Sequence, residues 1–233
     1  MMRFALYTLF VLLPAFAEAQ FYDARLGDED AEGFSRIEVE NEEFGFVPRN
    51  AIWNQTTIPV CWENPSTENN SHRAIVKAAV EETWVRYSKL NFTGWEKCAD
   101  RNVRGIRILI ANQRPRVERL GRGLSGMRNG MVLNFTYNIP ELEACKASSF
   151  MYDLCNRSIA VHEFGHAIGL THEQNRLDRD ASCTERPSGA PGDLHLTPYD
   201  PDSVMNYCNP LYNNYGKLSY FDILSVQIMY GAP

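Results

Sequence analysis

Three histidines, separated by four and then six positions, constrain this 233-residue chain more than any other feature of it. They lie in His162-Glu163-Phe164-Gly165-His166-Ala167-Ile168-Gly169-Leu170-Thr171-His172. Residues four apart on a helix share a face, so His162 and His166 can aim two nitrogens at one point. A third ligand needs the chain to turn. Gly169 offers that turn, because glycine tolerates a positive φ at little steric cost, and His172 can then swing back toward the other two. Three neutral imidazoles suit one Zn²⁺ ion with a coordination position left open. Glu163, next to the first ligand, is placed to act as a general base. With 5 His, 18 Glu and 15 Gly in the chain, the full pattern is expected by chance in roughly one such sequence in 10⁵.

The start of the chain reads as export machinery. Arg3 precedes an apolar run from Phe4 to Phe16, and Ala17-Glu18-Ala19 has the small-x-small form of a cleavage site. Residues 1–19 are therefore expected to be a signal peptide, with the exported chain beginning near Gln20, secreted and extracellular. The run is too short to span a bilayer, and no membrane partner is expected.

Residues 20–50 carry nine acids against three arginines, whereas residues 51–233 carry 19 acids and 19 Lys plus Arg. The acidic stretch is expected to be a solvated or removable pro-segment, and the catalytic domain to cover 51–233. A net charge of −6 argues against nucleic-acid binding.

Six cysteines, Cys61, Cys98, Cys145, Cys155, Cys183 and Cys208, favour disulfides in an exported chain. They allow about 15 connectivities. Joining sequence neighbours gives Cys61–Cys98, Cys145–Cys155 and Cys183–Cys208. Sequons at Asn54, Asn69, Asn91, Asn134 and Asn156 fit surface glycosylation.

The remainder reads as mixed helix and strand. Strands are expected at Ile58–Trp62, Ile106–Ile110 and Gly130–Phe135. A helix capped by Ser71 should run to about Lys89, with Val76, Val80, Trp84 and Tyr87 on its apolar face. A second helix, opening at Asn156 or Ser158, should span Arg157–Leu170. Residues 171–205 read as loop, and Ser219-Tyr220-Phe221-Asp222 as a capping box before a last helix ending at Tyr230. His72 and His195 read as surface histidines.

The eleven-residue stretch is the metzincin zinc signature, and Asp202-Ser203-Val204-Met205-Asn206-Tyr207 supplies a candidate Met-turn. The continuation, His172-Glu173-Gln174-Asn175-Arg176-Leu177-Asp178-Arg179-Asp180, resembles the astacin family of metallopeptidases, whose motif runs HExxHxxGxxHExxRxDRD. Ser203, Met205 and Tyr207 match the family's SxMxY Met-turn. Trp53 with Ile58-Pro59-Val60 resembles the start of the family's catalytic domain. Leu218-Ser219 with Asp222, and Tyr230-Gly231, resemble its end.

The resemblance implies an α+β metzincin-like fold: an N-terminal mixed twisted sheet with two long helices, a zinc cleft, and a smaller irregular C-terminal subdomain ending in a helix. It implies a monomeric zinc endopeptidase acting on proteins or peptides. His162, His166 and His172 would hold one catalytic Zn²⁺, Glu163 would be general base and acid, and Tyr207 an extra ligand that swings away to stabilise the oxyanion. Met205 would floor the metal, and Glu173 would be a structural partner of the mature N-terminus. Substrate would lie along an edge strand, expected at Gly130–Phe135. The chain departs from the family at Asn206, where His is usual, and in the short stretch before Trp53. Gly27-Asp28 is the candidate remnant of the family's FxGD latency motif, with Arg25 where that motif has Phe, and activation would follow cleavage near Arg49. The competing function is a secreted zinc-binding pseudoenzyme that acts by binding a partner.

Overall fold

A computed structural model describes residues 47–100 and 103–233. The signal-peptide segment, most of the acidic segment and Asp28 lie outside the described residues.

Four short strands run parallel, and a fifth closes one edge in the opposite sense. They are β1 (Thr57–Trp62), β2 (Asn91–Lys97), β3 (Ile106–Ile110), β4 (Arg116–Val117) and β5 (Met131–Leu133). The spatial order is β2-β1-β3-β5-β4, with β4 antiparallel to β5. The expected strand at Gly130–Phe135 is thus interior, and the edge beside the cleft is the two-residue β4. Both neighbours of β5 are satisfied by sheet pairing, so it has no free side on which to receive a peptide. Its residues are fully buried, as expected of a strand covered on both faces.

Helix α1 (Asn70–Val80) starts one residue before Ser71, and Asn69 occupies the cap position. Ser71 therefore lies in the first turn and does not cap. The helix continues as a wider π turn over Glu81–Val85, where Arg86 N donates to the Glu81 carbonyl at 3.1 Å. The Thr83 hydroxyl donates to the Ala79 carbonyl at 2.6 Å, competing with the regular ladder in the way hydroxyl side chains do. Val76, Val80 and Trp84 remain buried, while Tyr87 turns half out. The added residue per turn shifts the helical phase beyond that point.

Helix α2 (Ser149–Ala167) begins well before the expected Arg157, at a Ser148 cap whose hydroxyl accepts from Met151 N at 3.1 Å. Its first turns, from Ser149 to Leu154, mix apolar and polar residues and stay partly exposed, Phe150 among them, so they lack the uniform burial of its second half. From Ser158 onward every residue is buried. The Trp84 indole donates to the Val161 carbonyl at 2.9 Å, and Phe164 packs against Phe92 and Trp95 of β2. The Trp53 indole donates to Ala167 O at 2.8 Å and the Tyr230 hydroxyl to Ile168 O at 2.5 Å. These two bonds satisfy carbonyls that a helix terminus leaves without intrahelical partners.

After α2 the chain is mostly irregular until α3 (Tyr220–Tyr230), which opens with the expected Ser219–Asp222 capping box. The three sequence-neighbour disulfides are all formed: Cys61–Cys98, Cys145–Cys155 and Cys183–Cys208. Two of them tie down the irregular regions flanking the zinc-signature helix. Among the described residues no helix is long and apolar enough to cross a membrane.

Two sequons are corrected. Asn134 and Asn156 are buried. The Asn134 side chain donates to the Asn112 side chain at 3.2 Å and to the Gln113 carbonyl at 3.0 Å, and the Asn156 amide donates to His72 O at 3.3 Å. Neither has room for a glycan in the folded chain. His72 is likewise only half exposed, tilted against the rings of Phe135 and Tyr152, and His195 is half-buried as well.

Replacing Cys61 and Cys98 together by alanine opens a crosslink between positions 37 residues apart, which should lower unfolding free energy by about 3–4 kcal/mol. Urea denaturation of the double variant against the parent measures the loss.

Candidate metal centre and its cleft

The HExxH spacing places His162 and His166 on the same buried face of α2. Gly169 then takes φ +115°, a value that L side chains rarely adopt, and His172 returns to the same focus. The His172 Nε2 lies 3.2 Å from His162 Nε2 and 3.0 Å from His166 Nε2. These three form the one group of potential metal-ligating residues found among the described residues.

Each outer nitrogen faces a backbone carbonyl. His162 Nδ1 donates to Val204 O at 2.8 Å, His166 Nδ1 to Leu170 O at 2.8 Å and His172 Nδ1 to Ser188 O at 3.0 Å. A carbonyl only accepts, so every Nδ1 must carry the hydrogen. Every Nε2 is then a bare lone pair, and three lone pairs face one another. That arrangement is repulsive unless a cation lies between them. Tetrahedral ligands about 2.0–2.1 Å from zinc stand about 3.3 Å apart, close to the separations here. Burial holds all three rings in the neutral form. It depresses the His162 pKa to about 3, that of His166 far below its ordinary value, and that of His172 less. The donor set, tautomers and spacing all fit zinc, and the carbonyl partners fix ring orientation as in known metal sites.

The floor is built by the Met-turn. Asp222, at the start of α3, accepts from Ser203 Oγ at 2.7 Å and Val204 N at 2.9 Å. This holds the Val204 carbonyl under His162. Met205 N donates to Ser203 Oγ at 2.9 Å, and Glu173 N to Met205 O at 3.1 Å. Met205 is buried against Gly165, where an added Cβ would stand 2.3 Å from the Met205 sulfur and 3.2 Å from Trp84. Asn206 donates its amide to the Tyr199 hydroxyl and the Asp200 carbonyl, both at 2.9 Å, and so braces the turn.

Glu163 is buried, and its Oε2 has no hydrogen-bond partner among the described residues. Burial pushes its pKa up to about 8, against the pull of the Arg116 guanidinium. An unpartnered buried carboxyl oxygen beside a metal focus is an acceptor awaiting a donor. The Tyr207 ring stacks at 5.3 Å from His162 and lies tilted at 4.5 Å from His172, and it is 47% exposed. Burial and the Glu163 carboxyl raise the phenol pKa above its ordinary value, so its hydroxyl stays a donor. Glu173 lies away from the focus. Its Oε2 accepts from Asp200 N at 3.1 Å and stands 3.5 Å from the Arg176 guanidinium.

Two hollows flank the focus. One, about 560 Å³, is lined by β4, Pro48, Ala51, His166 and His172. The other, about 370 Å³, lies between Arg114, Leu142, His162 and Tyr212. Glu163 and Tyr207 border both. The contributions of Arg116, Ser188 and Tyr212 were not legible in the sequence, because each reaches the cleft from a loop or an edge with no periodic pattern. The stretch Asn213–Tyr215 that follows Tyr212 is left-handed throughout, with φ of 43°, 46° and 51°.

The peptidase family described as Astacin matches residues 144–187. That span contains the three histidines, Glu163 and the HExxRxDRD continuation. The chain is astacin-like. It is 33% identical over 81 residues to the dorsal-ventral patterning protein tolloid of Drosophila melanogaster, covering 29% of this chain and 7% of that protein. It is 31% identical over 99 residues to the zinc metalloproteinase nas-20 of Caenorhabditis elegans, covering 35% of this chain and 26% of that one. The chain thus spans about a quarter or less of the length of these relatives. Among solved structures, myroilysin superposes with a TM-score of 0.55 at 18% identity, over 80% of this chain and 98% of that one. The likeness to myroilysin shows a shared α+β fold.

Gly165→Ala should drive a methyl group into Met205 and cost about 1–3 kcal/mol. It should also displace the floor beneath His162 and lower the bound zinc per chain. Thermal unfolding and metal analysis of the purified variant check both.

Proposed function

We propose that this chain is a secreted zinc endopeptidase that cleaves proteins or peptides. The observation that carries the reading is the set of three Nε2 lone pairs, fixed by three carbonyls, beside a buried and unpartnered Glu163 carboxyl. The match to a peptidase family over residues 144–187 and the disulfides, which suit an oxidising compartment, support it.

His162, His166 and His172 would hold one zinc ion. Bound there, zinc supplies Lewis acidity and lowers the pKa of a water from about 15.7 toward roughly 7. Glu163 takes a proton from the attacking water and passes it to the leaving amine. Its raised pKa suits a group that must hold and release a proton near neutrality. Tyr207 donates a hydrogen bond to the negative charge that grows on the carbonyl oxygen. The outer side of β4 has no strand beyond it among the described residues, so it can pair with an extended peptide by backbone hydrogen bonds. Residues 20–50 act as a pro-segment whose removal, near Arg49, releases activity.

Glu163→Ala in the full chain should retain about one zinc per chain and lose hydrolysis of an unfolded protein by at least about 10³-fold. Metal analysis and a fluorescent casein assay, before and after limited proteolysis, read the two properties separately. Unchanged hydrolysis would remove Glu163 from the mechanism. A zinc-loaded parent that cleaves nothing would make the chain a binder.

Tyr207→Phe should lower kcat by about 10²-fold or more with little change in KM, since the phenol acts only as charge develops. Steady-state kinetics on one peptide decides this.

A further inference from the structure

Tyr207 sits in the least regular part of the chain. Between α2 and α3 the helical pieces are two short turns, over Glu173–Asn175 and Tyr212–Gly216. The tyrosine side chain is also half out of the protein. Neither a regular hydrogen-bond ladder nor full burial fixes it. Its ring nevertheless stands beside two of the three histidines, 5.3 Å from His162 and 4.5 Å from His172.

Two links join Tyr207 to the segment that follows His172. Gln174 is fully buried, and its Oε1 accepts from Tyr207 N at 3.1 Å while its Nε2 donates to Ser188 Oγ at 3.4 Å. One residue beyond the tyrosine, Cys208 is bonded to Cys183. The loop that starts at Cys183 walls the cleft: Glu185 borders the smaller hollow, and Gly189 and Ala190 the larger. The crosslink therefore fastens this wall to the residue next to the tyrosine. The same loop carries the Ser188 carbonyl that orients His172, but that carbonyl has a brace of its own. Asn175 donates to Ser188 O at 2.7 Å and accepts from Ser188 N at 2.8 Å. His172 is thus oriented without help from the crosslink, and the hold on Tyr207 comes from Gln174 on one side and Cys208 on the other.

We propose that the Cys183–Cys208 crosslink and Gln174 are positioning elements for Tyr207, clamping it beside the histidines so that its hydroxyl is presented to the developing oxyanion. Joining positions 25 residues apart removes much of the conformational freedom of an irregular segment. A donor held in place beforehand needs no reorganisation as charge develops. A misplacement of about 1 Å can cost on the order of 10²-fold in rate. The clamp should therefore act on kcat and leave substrate affinity nearly alone.

This inference rests on the peptidase reading and deepens it, so the test includes an arm without turnover. Cys183→Ser with Cys208→Ser, made in the full chain, loaded with zinc and assayed after limited proteolysis, should lower kcat by about tenfold. KM should stay within about twofold and zinc near one per chain. Gln174→Met keeps the volume similar and deletes the acceptor. It should act in the same direction, and it carries the test if the serine pair does not fold. In a Tyr207→Phe background neither change should lower kcat by more than about twofold, because a hydroxyl already removed has no position to lose. Cys61→Ala with Cys98→Ala, which loosens the fold elsewhere, should leave kcat within about twofold. Calorimetric binding of a phosphinic peptide, whose tetrahedral oxygens stand in for the oxyanion, repeats the cycle without hydrolysis. Binding should weaken by a similar factor only where the Tyr207 hydroxyl is present. Additive losses in the Tyr207→Phe background, loss of zinc in step with kcat, or an equal kcat loss in the Cys61–Cys98 pair would overturn the inference. A non-additive cycle in binding, with a parent that cleaves no peptide, would sustain the clamp and refute the peptidase. A parent that neither cleaves nor binds the phosphinate would overturn both.

Discussion

Three imidazole lone pairs pointed at a common centre are an electrostatic liability, and the structure is organised around holding them there. Each ring is pinned at its far nitrogen by a carbonyl from a different part of the chain: Val204 in the Met-turn, Leu170 after the helix, and Ser188 in the long loop. Those carbonyls fix both the tautomer and the ring plane, so ligand geometry exists before any ion arrives. Burial then keeps the rings uncharged, which is the state a metal requires.

Support for the pins reaches far from the metal. The Val204 carbonyl is held because Asp222, at the first turn of α3, takes hydrogen bonds from Ser203 and Val204. The same aspartate completes the cap of its own helix. The last helix is therefore coupled to His162 through one carboxylate. At the other end of the zinc-signature helix, Trp53 and Tyr230 occupy the carbonyls of Ala167 and Ile168. The turn at Gly169 then starts from a fixed point, and His172 is aimed by it. Gly165 lets the Met205 sulfur close against the helix, which no side chain at that position would permit.

The cleft divides its work by chemical environment. Glu163 and Tyr207 border both hollows, and burial shifts both groups toward their protonated forms. The edge strand β4 is more exposed, and its outer side has no strand beyond it among the described residues. Burial thus tunes the two groups beside the histidines, while the edge strand stays hydrated.

The sequence by itself determined where the three histidines lie, the helix that carries the first two and the turn after it. These depend on contacts within eleven residues, where helical period and glycine conformation suffice. It also determined the Ser219 cap, for the same local reason, whereas it left about 15 disulfide connectivities open and folding brought the sequence neighbours together. Tertiary structure decided the rest. Helix α2 begins at Ser149 because its partly exposed first turns are held by a cap at Ser148 that no periodic pattern announces. The edge of the sheet is β4, because strand order follows from which faces must be buried, and a two-residue strand leaves no alternation to read. The sequons at Asn134 and Asn156 looked like surface sites, yet each asparagine is consumed by hydrogen bonds from distant segments. The carbonyls that orient the three histidines could not be read from the chain, since every residue has one and only folding selects which three face the metal centre.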